Sequence, residues 1–161
     1  MKKIILISIL TLIVDIITKQ LVLNLMLEHQ SITIIKNFFS ITFEKNTGVA
    51  FSALEGKLPL IIIMTSIIII FILKYIKATN QNKYETISYG LIIGGALGNL
   101  LDRLIYGYVI DFLDFTIFNY SFAIFNIADT AIVIGIFTLI ILSLIESRNK
   151  DENNCSRKIK N

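Results

Sequence analysis

The sequence predicts an all-α membrane protein of four transmembrane helices, with short strands in the outer loop between spans one and two. Three observations predict it. Hydrophobic residues fill 55% of the 161 positions, mean hydropathy is +0.74, and there is one proline; a water-soluble domain of this length does not need such an excess for its core. Four apolar segments, Ile4 to Leu27, Leu58 to Leu73, Ile87 to Leu101 and Phe122 to Ile145, approach with their flanks the roughly 20 helical residues that cross a bilayer. Basic residues segregate between the segments, with Lys2, Lys3, Lys74, Lys77, Lys83, Arg148, Lys150, Arg157, Lys158 and Lys160 on one side and only Lys36, Lys45 and Lys57 in the opposite loops. That asymmetry puts both termini in the cytoplasm, accounts for the net charge of +3, and leaves no charge pattern that calls for nucleic acid. An outer-membrane barrel would instead show strands of about 10 alternating residues.

The first span, about 4–27, opens with Lys2, Lys3 and "IILISILTLIV", like a secretory signal. No small-residue cleavage site follows, and the apolar pattern resumes after Lys19 as "LVLNLML", so the segment is read as a retained span. Too few residues separate Lys3 from Asp15 to cross the membrane. Asp15 and Lys19 therefore form an i, i+4 pair in its outer half, facing other helices and neutralising each other.

Outer loop 28–56 alternates in "SITII" and "FFSITFE", with β-branched and aromatic residues that suit short strands, before a turn at Asn46, Thr47 and Gly48. After the second span, 57–76, a short polar cytoplasmic connection leads into the third, 84–103. Gly90, Gly94 and Gly98 share a face there, which suits close helix packing. Gly95, Asn99 and Arg103 form a second column beside Asp102 at the outer end. Outer loop 104–121 is read as a short re-entrant loop carrying Asp111 and Asp114 without a single Lys or Arg. Thr130 to Ile145 makes only about 24 Å of helix at about 1.5 Å per residue, so the fourth span, 122–146, must begin before Asp129. Residues 1–147 form one domain, and 148–161 a polar cytoplasmic tail. Cys155, the only cysteine, lies in that tail, so no internal disulfide forms.

An ionisable group in a span costs about 2.5–3.5 kcal/mol on the insertion scale and usually marks function. Asp129 has no cation in its own segment to neutralise it, and Asn126 lies one turn above it. Two carboxyls brought together at a half-wet site share a proton, and the ionised one then activates water while the protonated one polarises a carbonyl. Competing chemistries lack parts: His29 is the sole histidine, which disfavours a zinc site, and no G-x-S-x-G elbow or P-loop is present. Neither cofactor nor metal is expected. These residues do not decide which two aspartates meet.

A resemblance supplies the pairing. "DIITK" (15–19), "NTGVAFS" (46–52), "GGALGNLLDRLIYGYVIDF" (94–112) and "FNIAD" (125–129) resemble, in order, the motifs of the lipoprotein signal peptidases (signal peptidase II). The resemblance implies an aspartic endopeptidase with Asp111 and Asp129 as catalytic dyad, and Asn46, Gly48, Asn99, Arg103 and Asn126 holding substrate. Asp15 and Lys19 would support the site from the first span, and the family's fold would add a small extracytoplasmic β-sheet, a cradle, between spans one and two. Asp102, beside Arg103 at the span end, is read as a supporting residue through helix capping or an ion pair. The implied substrate is a diacylglyceryl-modified bacterial prolipoprotein, cleaved just before its lipidated cysteine by a monomeric enzyme of the cytoplasmic membrane whose site faces outward among lipid. Ala123 departs from the proline common in that family, which bears on loop rigidity more than chemistry. Two other classes remain to be weighed. A proton- or ion-conducting protein would distribute polar groups through the full membrane thickness, whereas the inner halves of these spans hold almost none. In a structural subunit of a larger complex, the same groups would act as interhelical glue.

Overall fold

The computed structural model describes residues 1–48, 56–118 and 120–159, without the side chains of Ser121 and residues 150–159. Four helices appear among them: α1 (Lys2–Leu25), α2 (Leu58–Ala78), α3 (Lys83–Ile105) and α4 (Ile127–Ile159). Lys2–Leu25, Leu58–Ala78 and Ile127–Asn149 are long and apolar enough to cross a membrane.

These helices are inverted relative to those of water-soluble proteins. Along α1, Ile4, Ser8, Thr11, Asp15, Lys19 and Val22 are buried, a stripe at helical spacing. Ile5, Leu6, Ile9, Leu10, Ile13, Val14, Ile17 and Leu21 are exposed, as lipid-facing positions should be. The fourth helix, α3, packs on the other three. Its central place explains its lower hydropathy: Asn99, Asp102 and Arg103 are buried in protein, where partners replace water.

Small residues set the spacing. A Cβ on Gly94 would meet the Ser8 carbonyl oxygen at 2.6 Å and Thr11 Cβ at 2.7 Å, while one on Gly98 would strike the Asp15 carboxylate. Gly90 lies against Ile4 and Ile7 in the same way, so α1 and α3 run parallel in close contact. On the other side of α3, Gly95 meets Ala128, and Gly135 of α4 meets Ile92 and the Ser88 carbonyl, so α4 runs antiparallel.

The sheet draws on both loops, not only on the connection between α1 and α2. Strands β1 (Ser31–Ile35), β2 (Phe39–Asn46), β3 (Val109–Ile117) and the two-residue β4 (Tyr120–Ser121) lie antiparallel in that order. The loop after α3 therefore carries strand Val109–Ile117 and is not re-entrant. The run "VIDFLDFTI" is apolar on both faces, which hides its period of two, but its β-branched and aromatic residues fit a pleated surface. In its register Asp111 stands opposite Glu44, and Asn46 opposite Val109. Val22 of α1 and Met26 just past its end pack with Phe43, Ile110 and Phe112, and this cluster fixes the sheet to the helix ends.

Two further boundaries differ from expectation. Phe122 to Asn126 precede α4, with Phe125 bridging to Leu113 of β3. The backbone of α4 stays helical through Ile159 instead of ending near 146.

Candidate active site

Asn126 and Asp129 take their places from the local chemistry of a helix start. Asn126 precedes the first residue of α4, and its Oδ1 accepts from the Asp129 backbone N–H at 2.9 Å. In return Asp129 Oδ2 accepts from the Asn126 backbone N–H at 3.3 Å. This is a reciprocal capping box built from Asn and Asp, and "FNIAD" is legible as that device. Capping spends the oxygen of Asn126 and leaves its amide N–H2 to point elsewhere.

That amide reaches β3. Asn126 Nδ2 donates to Asp111 Oδ1 at 2.7 Å, and Asn46 Nδ2, from the end of β2, donates to Asp111 Oδ2 at 2.9 Å. Asn99 of α3 donates from Nδ2 to Asp129 Oδ1 at 2.7 Å. Each oxygen of both carboxyls thus accepts one N–H. Burial, and after it the negative charge of Asp129, pushes the Asp111 carboxyl up to about 7. Asp111 is 3% exposed, whereas Asp129 is half-buried.

Behind the pair lies a cation. Lys19, 1% exposed, places Nζ 2.7 Å from Asp15 Oδ2, 2.9 Å from Asp102 Oδ2 and 3.0 Å from Asn99 Oδ1. Asp15 Oδ1 accepts from the Ala128 N–H at 2.9 Å, and Asp102 Oδ2 from the Ile110 N–H at 3.2 Å. The two carboxylates therefore tie Lys19 to the backbone beside each member of the pair. Asp102 pairs with Lys19 from another helix, although Arg103 is its neighbour in sequence.

Arg103 is buried rather than directed to headgroups. Its Nη2 donates to the Gly48 carbonyl at 2.6 Å and its Nη1 to the Asn99 carbonyl at 3.2 Å; among the described residues its Nε meets no acceptor. Gly48 donates its own N–H to Asn46 Oδ1 at 2.9 Å, which turns the Asn46 amide nitrogen toward Asp111. The residues predicted as catalytic, substrate-binding or supporting thus lie in one hydrogen-bonded cluster. The rest of "NTGVAFS", residues 49–52, lies outside the described residues. Sequence reading missed the backbone N–H groups of Ala128 and Ile110, which leave no side-chain signal. Among the described residues no group of His, Cys, Asp and Glu is arranged to hold a metal ion.

The family model described as Signal peptidase (SPase) II matches residues 7–145. The chain belongs to the signal peptidase II family. Similar relatives include a lipoprotein signal peptidase of Staphylococcus haemolyticus, 39% identical over 90% of this chain and 92% of that protein. One of Halothermothrix orenii is 46% identical over 79% of this chain and 85% of its own. A bacterial membrane enzyme solved by the in meso method at 2.3 Å resolution superposes with a TM-score of 0.87 at 38% identity, covering 93% of this chain and 92% of that one. As a signal peptidase II the chain is an aspartic peptidase, a membrane hydrolase that cleaves the signal peptides of prolipoproteins.

Proposed function

We propose that Asp111 and Asp129 are the catalytic dyad and that they hydrolyse the peptide bond just before the lipidated cysteine of a diacylglyceryl-modified prolipoprotein. One observation carries the reading: carboxyls from two elements, β3 and α4, are held by three asparagine amides in one half-wet cluster. Asp111, the more buried and pushed up to about 7, keeps the shared proton. Ionised Asp129 removes a proton from water, whose oxygen attacks the scissile carbonyl carbon, while Asp111 gives its proton to the carbonyl oxygen. Collapse of the resulting diol delivers a proton to the amide nitrogen as the C–N bond breaks, and the dyad returns to its starting state.

Arg103 and Asn46 flank the dyad, and Arg103 Nε offers an N–H to a substrate carbonyl. Gly48 acts through its backbone, holding both of them. All four helices span the membrane, α3 shielded by the others. The basic ends of α1, α2 and α4 lie in the cytoplasm, and the sheet lies at the outer face. A lipidated peptide then enters sideways, its acyl chains remaining in lipid while its amide meets water at the dyad. The enzyme acts as a monomer.

The test is processing of a purified diacylated prolipoprotein. Asp111→Asn and Asp129→Asn should each lower turnover by about 10⁴-fold or more while expression and membrane insertion persist. Turnover retained by either variant rejects the dyad.

A further inference from the structure

The ammonium of Lys19 has three N–H groups and three acceptors: Asp15, Asp102 and the side-chain oxygen of Asn99. A lysine ammonium only donates. With Lys19 1% exposed, no water relieves a donor turned against it. A primary amide is nearly symmetric in shape, so its neighbours decide which end is oxygen. Asn99 Oδ1 faces Lys19 at 3.0 Å and Nδ2 faces Asp129 at 2.7 Å.

We propose that Lys19 is a positioning residue for hydrolysis, its ammonium holding the Asn99 amide as an N–H donor to Asp129 throughout the reaction. This rests on the reading of Asp111 and Asp129 as the dyad. An ionised carboxylate would by itself attract the N–H2 end of Asn99. Once Asp129 has taken a proton from water, however, its hydroxyl can donate, and an unrestrained amide would turn its oxygen to accept that hydrogen. Such a turn traps the proton that the departing amine needs. Asn126 cannot prevent it alone, since its Nδ2 is divided among Asp111 Oδ1, the Ile110 carbonyl at 3.3 Å and Asn99 Oδ1 at 3.1 Å. With Lys19 in place, turning Asn99 would set N–H2 against N–H3⁺ in a dry site. The ammonium also favours the ionised form of Asp111 through space. Asp15 and Asp102 hold the ammonium in turn, anchored at Ala128 beside Asp129 and at Ile110 beside Asp111.

The experiment compares wild type with Lys19→Met and with the triple variant Lys19→Met, Asp15→Asn, Asp102→Asn, which removes the ammonium together with both of its carboxylates. In the latter each new amide keeps an oxygen for the Ala128 or Ile110 N–H, and no carboxylate of the triad is left unpaired. The triple variant should fold with near wild-type Tm, and it carries the test if the single variant does not fold. Steady-state turnover of a diacylated prolipoprotein should show kcat lowered by about 10²-fold with KM within twofold of wild type in both variants, and in Lys19→Met, where only the cation is lost, the alkaline limb of the pH profile displaced upward. A folded triple variant with wild-type kcat overturns the proposal. If Asp111→Asn and Asp129→Asn are inactive while the triple variant is fully active, this inference alone fails; if either Asn variant is active, the dyad reading itself fails.

Discussion

Asp111 accepts an N–H on each oxygen, from Asn46 and Asn126, which favours its charged form, yet burial and Asp129 outweigh both donors and push it up to about 7. The folded protein therefore holds a proton that the unfolded chain, with an ordinary carboxyl near 3.8, releases. Unfolding in this window liberates a proton, so stability contributed by Asp111 is complete below about pH 4 and lost as pH rises through about 7. Asn at 111 has no proton to lose. Between pH 5 and pH 8, Tm in detergent should consequently fall by several degrees less for Asp111→Asn than for wild type, whatever the offset between them at pH 5. Parallel slopes would show that Asp111 does not carry the proton. Turnover should decline over the same alkaline range, because ionising Asp111 removes the acid proposed to polarise the carbonyl.

Among the elements, α3 is the shared wall, and its glycines decide how closely α1 and α4 approach. Substituting Gly94 drives a side chain into the α1 backbone at Ser8, and a main chain cannot yield as a flexible side chain can. Gly94→Val should destabilise by about 1–3 kcal/mol and reduce kcat as well, since separating α1 from α3 pulls Lys19 away from Asn99. Leu104→Ala, at an exposed position on the same helix, should leave Tm within a degree or two. Equal losses for both substitutions would refute the glycine seam. This seam was legible in the sequence because Gly90, Gly94 and Gly98 recur at helical spacing, and the inward pair of Asp15 and Lys19 was legible from distance along a helix. Strand β3 was not, because an apolar run covered on both faces has no alternation to display. Nor do residues reveal long-range pairings such as 46 with 111, 15 with 128 or 48 with 103; those come from topology, and only likeness to a family singled out Asp111 and Asp129 among the aspartates.

For the whole molecule the governing asymmetry is end to end. Lys2 and Lys3 open α1, Lys74 and Lys77 close α2, Lys83 opens α3, and Arg148 lies far along α4, all at the end away from the sheet because α1 and α3 run parallel and α4 antiparallel. The proposed orientation follows from that charge bias, and it places Cys155 and the turn at Lys36 on opposite sides of the membrane. The chain has no other cysteine, so the wild type is already a single-site probe. In right-side-out spheroplasts a membrane-impermeant maleimide should leave wild-type protein unlabelled until the membrane is permeabilised. Lys36→Cys in a Cys155→Ser background should label in intact spheroplasts, Lys36 being exposed between β1 and β2, with turnover unchanged because neither position touches the dyad. The reverse pattern would put the dyad in the cytoplasm, where a prolipoprotein translocated outward could not present its scissile bond, and the proposed orientation and route of substrate entry would fall together.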